Sequence, residues 1–191
     1  MRRAGRDRSR REARREKALR PRRSVHGDSR VEGRFLIRPA AAGDVDELLR
    51  LIASLAEYEK LSHMAVGTAA MLREALFGPR PSCEAMIAER GGRAIGFALY
   101  FTTFSTFLCK PGLYLEDLFI EPEHRGAGIG KALLRRLAAL AMERGCGRFE
   151  WRVLDWNEPS IRFYESLGAT VMPEWELVRM TEPSIAALAK G

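Results

Sequence analysis

The sequence predicts an α/β protein with a mixed, mostly antiparallel central sheet flanked by helices and a parallel strand-helix-strand unit at its functional end. Three observations carry this. Apolar residues recur with helical spacing over 45–56 and 129–141. Three strand-like runs, 83–88, 94–104 and 113–120, follow one another before the second of these helices. The full order reads β-α-α-β-β-β-α-β-α-β. Strands joined by short turns pair antiparallel, whereas strand, long helix, strand requires a crossover, expected to be right-handed.

Arg34-Phe-Leu-Ile-Arg38 reads as a short strand stopped by Pro39. Gly43-Asp44 opens a helix with Asp44 as its N-cap, and Val45, Leu48, Leu49, Ile52, Leu55 and Ala56 form its buried face. Thr68 caps a second helix running to Phe77, ended by Gly78 and Pro79. Glu89-Arg-Gly-Gly-Arg93 is a hairpin turn between two strands, and Lys110-Pro-Gly112 is a second turn. The long helix buries Ile129, Leu133, Leu137, Leu140 and Ala141 and stops at Gly145. Phe149–Leu154 is a strand. Asn157 caps a helix that carries Pro159 in its first turn and ends at Gly168. Residues 169–180 are expected to supply the closing strand, and Thr181–Lys190 a short helix or tail.

The charge divides the chain. Residues 1–34 hold 14 Lys or Arg against 5 Asp or Glu, while residues 35–191 hold 18 basic against 20 acidic side chains. Residues 1–33 carry few large apolar side chains and read as a basic, disordered extension, with residues 34–191 as a single domain. The slightly acidic domain suits a cationic substrate better than nucleic acid, leaving the basic extension as the only nucleic-acid candidate. The three cysteines, Cys83, Cys109 and Cys146, are far apart and show no metal-ligand spacing, and the three histidines have no partners at such spacing. Reduced thiols, no apolar run of ~18 residues and no apolar leader core lead to the expectation of a cytoplasmic protein without a metal.

The chemistry concentrates at 113–131. Glu116 and Asp117 interrupt an apolar strand, and Arg125-Gly-Ala-Gly-Ile-Gly-Lys131 leads into the long helix. Glycines at 126, 128 and 130 permit tight turning and close backbone approach, and a helix N-terminus offers free N–H groups to phosphate oxygens. The spacing excludes two phosphate motifs. Residue 125 is Arg where the Walker pattern needs Gly, and 132 is Ala rather than Ser or Thr; the dinucleotide pattern needs Gly at 131, which is Lys. The glycines alone are equally compatible with a structural turn.

Arg125-Gly126-Ala127-Gly128-Ile129-Gly130 after an apolar strand resembles the acetyl-coenzyme A loop of the GNAT superfamily of N-acetyltransferases. Leu115-Glu-Asp117, Trp156-Asn-Glu-Pro-Ser-Ile-Arg-Phe-Tyr164, Phe35-Leu-Ile-Arg-Pro39 and Leu55-Ala-Glu-Tyr-Glu59 resemble the spermidine/spermine (diamine) N-acetyltransferases and their thialysine N-ε-acetyltransferase relatives. The resemblance covers about residues 35–180. It implies the GNAT fold, a homodimer, acetyl-CoA as cosubstrate and direct transfer of its acetyl group to a small di- or polyamine or lysine-like amine. Other acceptors within that fold, such as a protein N-terminus, a lysine side chain or an antibiotic, are the alternative.

The resemblance also assigns roles. Pyrophosphate would lie on the N–H groups of Arg125, Gly126, Ala127, Gly128, Ile129, Gly130 and Lys131, and the backbone of Leu118, Phe119 and Ile120 would pair with the pantetheine arm. Asn157 and Ser160 would touch the cofactor from the other side. An alkylammonium has a pKa of ~10.4, so deprotonating it at pH 7 costs about 4.6 kcal/mol, and a nearby carboxylate both attracts the cation and accepts its proton. Glu116 is the expected base and substrate anchor. Asp117 would point to the opposite face of a regular strand and serve a structural role, unless the strand bulges there. Tyr164 is the expected general acid for the leaving thiolate. Tyr58, Glu59, Glu150 and Arg152 are expected at the substrate, with Arg152 better suited to a substrate carboxylate than to a polyamine. Phe104-Ser-Thr-Phe107 and Val153-Leu-Asp-Trp-Asn157 are closer to the thialysine relatives, which favours a short diamine or lysine-like acceptor. Leu167 stands where the diamine enzymes can carry a basic residue near coenzyme A, so one cofactor contact is expected to be missing.

Overall fold

A computed structural model describes residues 29–31 and 35–191 of the chain. Six strands lie in one sheet in sequence order: β1 (Ser29–Val31), β2 (Phe35–Pro39), β3 (Glu84–Arg90), β4 (Arg93–Ser105), β5 (Lys110–Ile120) and β6 (Arg148–Trp151). Each neighbouring pair from β1 to β5 is antiparallel, and β5 and β6 are parallel. The expected mixed sheet and its parallel crossover are therefore both present. The expectation for residues 1–28 lies outside the described residues; Ser29–Val31, at the end of the expected extension, pairs with β2.

One face of the sheet packs on α1 (Val45–Tyr58) and α2 (Ala69–Phe77), through Leu48, Leu51, Leu76, Phe97, Leu99 and Phe119. The other face packs on α3 (Ile129–Glu143), through Ile95, Ala98, Leu113, Leu115, Leu133 and Leu137. Two shorter helices follow, α4 (Glu158–Glu165) and α5 (Glu182–Ala189). Leu51 is fully buried, although the expected face of α1 omitted it. The contact uses the 45-48-51 ridge, at i+3 spacing, as well as the i+4 positions.

Local signals hold where their chemistry is complete. The Thr68 hydroxyl accepts from Met71 N–H at 3.3 Å, and the Asn157 side chain accepts from Ser160 N–H at 3.4 Å. Gly91, Gly92, Gly145 and Gly168 all take positive φ at the turns and helix ends where they were expected. Asp44 differs: its carboxylate accepts from Ala41 N–H and from both terminal nitrogens of Arg38, at 2.7, 2.6 and 2.8 Å, and does not cap the helix. Arg38 also donates to Glu89 at 2.9 Å, tying β2 to β3.

Three expectations are corrected. Lys110-Pro-Gly112 is the beginning of β5, and the turn lies at 106–109. Proline is tolerated at a strand start, and Gly112 is there for close approach, since a Cβ would meet Thr103 Oγ1 at 2.6 Å and Arg148 Cγ at 3.2 Å. The strand expected at 149–154 stops at Trp151. Residues 169–180 form no strand; they run irregularly and largely exposed, with Trp175 at 71% and Val178 at 88% exposure. Their alternation of apolar and polar residues signals strand propensity, but no edge among the described residues pairs with them.

Candidate active site

The site is built where β5 and β6 part. Their last paired residues are Leu115 and Trp151, yet β5 continues against β4 to Ile120 opposite Gly96. Residues 116–120 of β5 thus have a strand partner on one edge only. At the same point β5 bulges: Tyr100 pairs with Leu115 and Leu99 with Asp117, leaving Glu116 as the extra residue. The bulge is the case in which the structural reading of Asp117 does not hold. Cross-strand partners share a face, so Asp117 joins Leu99 on the α1 side, while Glu116 stands exposed at the bulge.

Three carboxylates meet there. Burial, followed by the charges of Glu116 and Glu59, pushes the Asp117 carboxyl up to about 6. Glu59, just past the end of α1, is itself raised by burial. Tyr164 approaches from the opposite face. It packs edge-on against Trp151 at 5.2 Å between ring centroids and is flanked by Phe163. Burial and then the Glu59 charge push its phenol up to about 12. Glu59 therefore acts on both Asp117 and Tyr164, which stand on opposite faces of the sheet where β5 and β6 part.

The glycine loop lies directly downstream of β5. Glu121 is buried and takes Arg50 from α1 and Arg93 from β4 on one oxygen, at 2.5 and 2.7 Å, while its N–H donates to Ile95 O. Its other oxygen has no hydrogen-bond partner and lies 3.8 Å from the His124 imidazole. This hub, which the sequence did not reveal, fixes the start of the loop. Gly126 and Gly128 then take φ of +77° and +80°, where an L side chain is strained. Gly128 is the N-cap of α3, and the first intrahelical bond runs from Ala132 N–H to Gly128 O. The first-turn N–H groups of Ile129, Gly130 and Lys131 are left without intrahelical acceptors. Packing sets α4 beside them: a Cβ on Gly130 would sit 3.7 Å from the Phe163 ring.

The structure revises some expected roles. Arg125 N–H already donates to Pro122 O at 3.2 Å, so it is not part of the free row of donors. Its side chain turns back, with Nε donating to Ile120 O at 3.0 Å and the guanidinium stacked over Tyr58 (4.6 Å) and Phe119 (5.6 Å). Tyr58 also touches Trp156, at 6.2 Å between ring centroids, an aromatic contact unforeseen from the sequence. Asn157 and Ser160 are engaged with each other in the α4 cap. Glu150 is neutralised by Arg148 at 2.7 Å. Arg152 lies 5.9 Å from the Tyr114 ring centroid.

Comparison with known proteins agrees with this arrangement. The acetyltransferase (GNAT) family profile matches residues 52–169. A thialysine N-ε-acetyltransferase of Sus scrofa is 36% identical, covering 81% of this chain and 96% of the relative. An L-ornithine N5-acetyltransferase of Arabidopsis thaliana is 31% identical, with 81% of this chain and 87% of the relative covered. Among solved structures, an integron cassette protein from the mobile metagenome of V. cholerae superposes with a TM-score of 0.71 at 26% identity, covering 83% of this chain and 99% of that one. The chain belongs to the GNAT acetyltransferase family and is an N-acetyltransferase.

Proposed function

We propose that this enzyme moves the acetyl group of acetyl-CoA to the terminal amine of a small diamine or lysine-like molecule, directly, with both substrates bound at once. The observation that carries the reading is Glu59, whose charge acts both on Tyr164 and on Asp117, beside the open edge of β5. The relatives' names, which specify thialysine and ornithine, support the acceptor class.

The residues fit the cosubstrate, which supplies an acetyl thioester. Gly126 and Gly128 hold the backbone open, with no atom within 4 Å of where their Cβ atoms would stand. The N–H groups of 126–131 at the N-terminus of α3, with Lys131 adjoining, would hold the pyrophosphate. The unpaired edge of Leu118, Phe119 and Ile120 would receive the pantetheine amides as an added strand, and Leu118 N–H would polarise the thioester carbonyl. Asn157 and Ser160 would border the cofactor from α4.

On the acceptor side, Glu59 and Glu116 would attract the ammonium. Asp117, at about 6, is better matched than an ordinary carboxylate to accept its proton near neutral pH. Direct transfer forms one N–C bond and breaks one C–S bond; the amine proton passes to a carboxylate and the thiolate is met by the Tyr164 hydroxyl. At about 12 that phenol is fully protonated at pH 7. Its first contribution is a hydrogen bond to the developing charge, and an ammonium beside Glu59 eases the full transfer by cancelling the charge that holds the phenol up.

A second copy of the chain is the natural cover for the exposed Trp175, Leu177 and Val178, which supports the homodimer. The deciding experiment incubates purified protein with acetyl-CoA and, separately, putrescine, spermidine, L-lysine, thialysine, L-ornithine and a lysine-containing peptide, following free thiol release. Turnover with short amines is expected. Turnover confined to the peptide, or absent throughout, overturns the reading.

A further inference from the structure

The open edge of β5 presents particular atoms. Glu121 N–H donates to Ile95 O, so Ile95 and Glu121 face each other as a hydrogen-bonded pair. Such pairs alternate with non-hydrogen-bonded ones along an antiparallel ladder. Going back along β5, the non-hydrogen-bonded pairs are Gly96 with Ile120 and Ala98 with Leu118. The main-chain N–H and C=O groups of Ile120 and Leu118 therefore point away from β4, to the side where β6 has already ended. These are the groups that an added strand would pair with. One of them is taken. Arg125 Nε donates to Ile120 O at 3.0 Å, and the same guanidinium lies over the Tyr58 ring, 4.6 Å from its centroid.

Both places matter to the proposed reaction. Ile120 O is the edge acceptor that an amide N–H of the pantetheine arm would need. Tyr58 ends α1 next to Glu59, and its ring touches the half-exposed Trp156. An aromatic face beside a carboxylate attracts an alkylammonium, and here a guanidinium, itself a cation, already covers that face. Arg125 is free to leave. Its side chain is exposed, and one hydrogen bond and two ring contacts hold it. Its main chain is fixed separately, through N–H to Pro122 O. The side chain can therefore swing while the loop stays in place.

We infer that the Arg125 side chain is an internal placeholder for both substrates, holding the Ile120 carbonyl in place of the cosubstrate's amide and the face of Tyr58 in place of the acceptor's ammonium. Pairing of the pantetheine arm with Ile120 displaces Nε, and the guanidinium withdraws from Tyr58. The amine then meets an uncovered ring. The cosubstrate thereby strengthens amine binding, and by linkage the amine strengthens cosubstrate binding by the same factor. Occupancy sets the size of the effect. If the guanidinium covers Tyr58 for about nine-tenths of the time, the apparent affinity for the amine is about tenfold below that of the uncovered ring. In this arrangement Arg125 is a positioning residue that couples the two halves of the site and takes no part in the chemistry.

The placeholder role rests on the amine-acetyltransferase reading, and a binding experiment separates the two. Dissociation constants for putrescine and L-ornithine are measured by calorimetry, with and without saturating coenzyme A, for the wild type, Arg125→Met and Arg125→Lys. Met keeps the apolar stem and removes both the Nε donor and the charge, while Lys keeps the charge and loses the Nε donor. The wild type is expected to bind the amine about tenfold more tightly when coenzyme A is present. Arg125→Met is expected to bind it about tenfold more tightly than the wild type when coenzyme A is absent, and to gain little when it is added. Arg125→Lys is expected to fall between the two. Equal amine affinity in the wild type with and without coenzyme A, or amine binding to Arg125→Met alone that is no tighter than to the wild type alone, overturns the placeholder while leaving acetyl transfer standing. Absence of acetyl transfer to every amine, with the coupling present in the wild type and lost in Arg125→Met, overturns the catalytic reading and upholds the placeholder.

Discussion

The two halves of the site are made in opposite ways. The glycine-loop half is one continuous run, from the open edge of β5 through Glu121 to the first turn of α3, and its working groups are backbone N–H donors. The proposed acceptor half is assembled from the end of α1, the β5 bulge, β6 and α4, and its side chains include carboxylates whose charges act on their neighbours. The first is fixed by local conformation and tolerates any side chain that leaves the backbone alone. The second depends on long-range packing, so a change in one member alters the others.

The contrast breaks most sharply at Tyr164. Tyr164→Phe keeps the ring against Trp151 and Phe163 and removes only the hydroxyl. Turnover is expected to fall about 10³-fold, within the range for general acids, with the KM for acetyl-CoA changing no more than about threefold. Steady-state kinetics decides this, and turnover within tenfold of the wild type removes the hydroxyl from the chemistry.

Asp117 tests the coupling within the acceptor half. Its carboxyl is about 6 in the folded chain against 3.8 for the free group, so the folded state holds the extra proton between those values. The charged form opposes folding, and its penalty is complete above pH 6, shrinks as pH falls toward 4 and vanishes below it. Asp117→Asn is therefore expected to stabilise the protein at pH 7.5 by up to about 3 kcal/mol, with the gain disappearing by pH 4. Urea midpoints across that range measure it; a gain independent of pH contradicts the coupling.

Gly128 sharpens the other side. Gly128→Ala forces an L residue to a φ near +80°, at about 1–2 kcal/mol. The KM for acetyl-CoA should rise several-fold while the KM for the amine stays within about twofold. A larger effect on the amine would show that the halves are not separable.

The same division explains what the sequence disclosed. The glycine loop, the Thr68 and Asn157 caps and the Gly91-Gly92 turn are local, and their residue types state their conformation. The bulge is not local: it exists because the β4–β5 pairing slips by one residue between Leu99 and Tyr100, and nothing in Leu115-Glu-Asp117 alone records that. This is why Asp117 read as facing away from Glu116. Glu121 escaped notice for the same reason, since its partners lie at positions 50 and 93. Residues 169–180 fail in the reverse direction, because strand propensity is local while a strand also needs an edge to join.

The Glu121 hub has a practical corollary for protein engineering. It braces the loop against α1 and β4 through Arg50 and Arg93, all outside the proposed acceptor positions Tyr58, Glu59, Glu116, Glu150 and Arg152. Libraries that randomise those positions to recruit new amines are expected to leave the proposed cofactor loop anchored. Libraries that touch Arg50, Arg93 or Glu121 put the whole enzyme at risk for no change in acceptor preference.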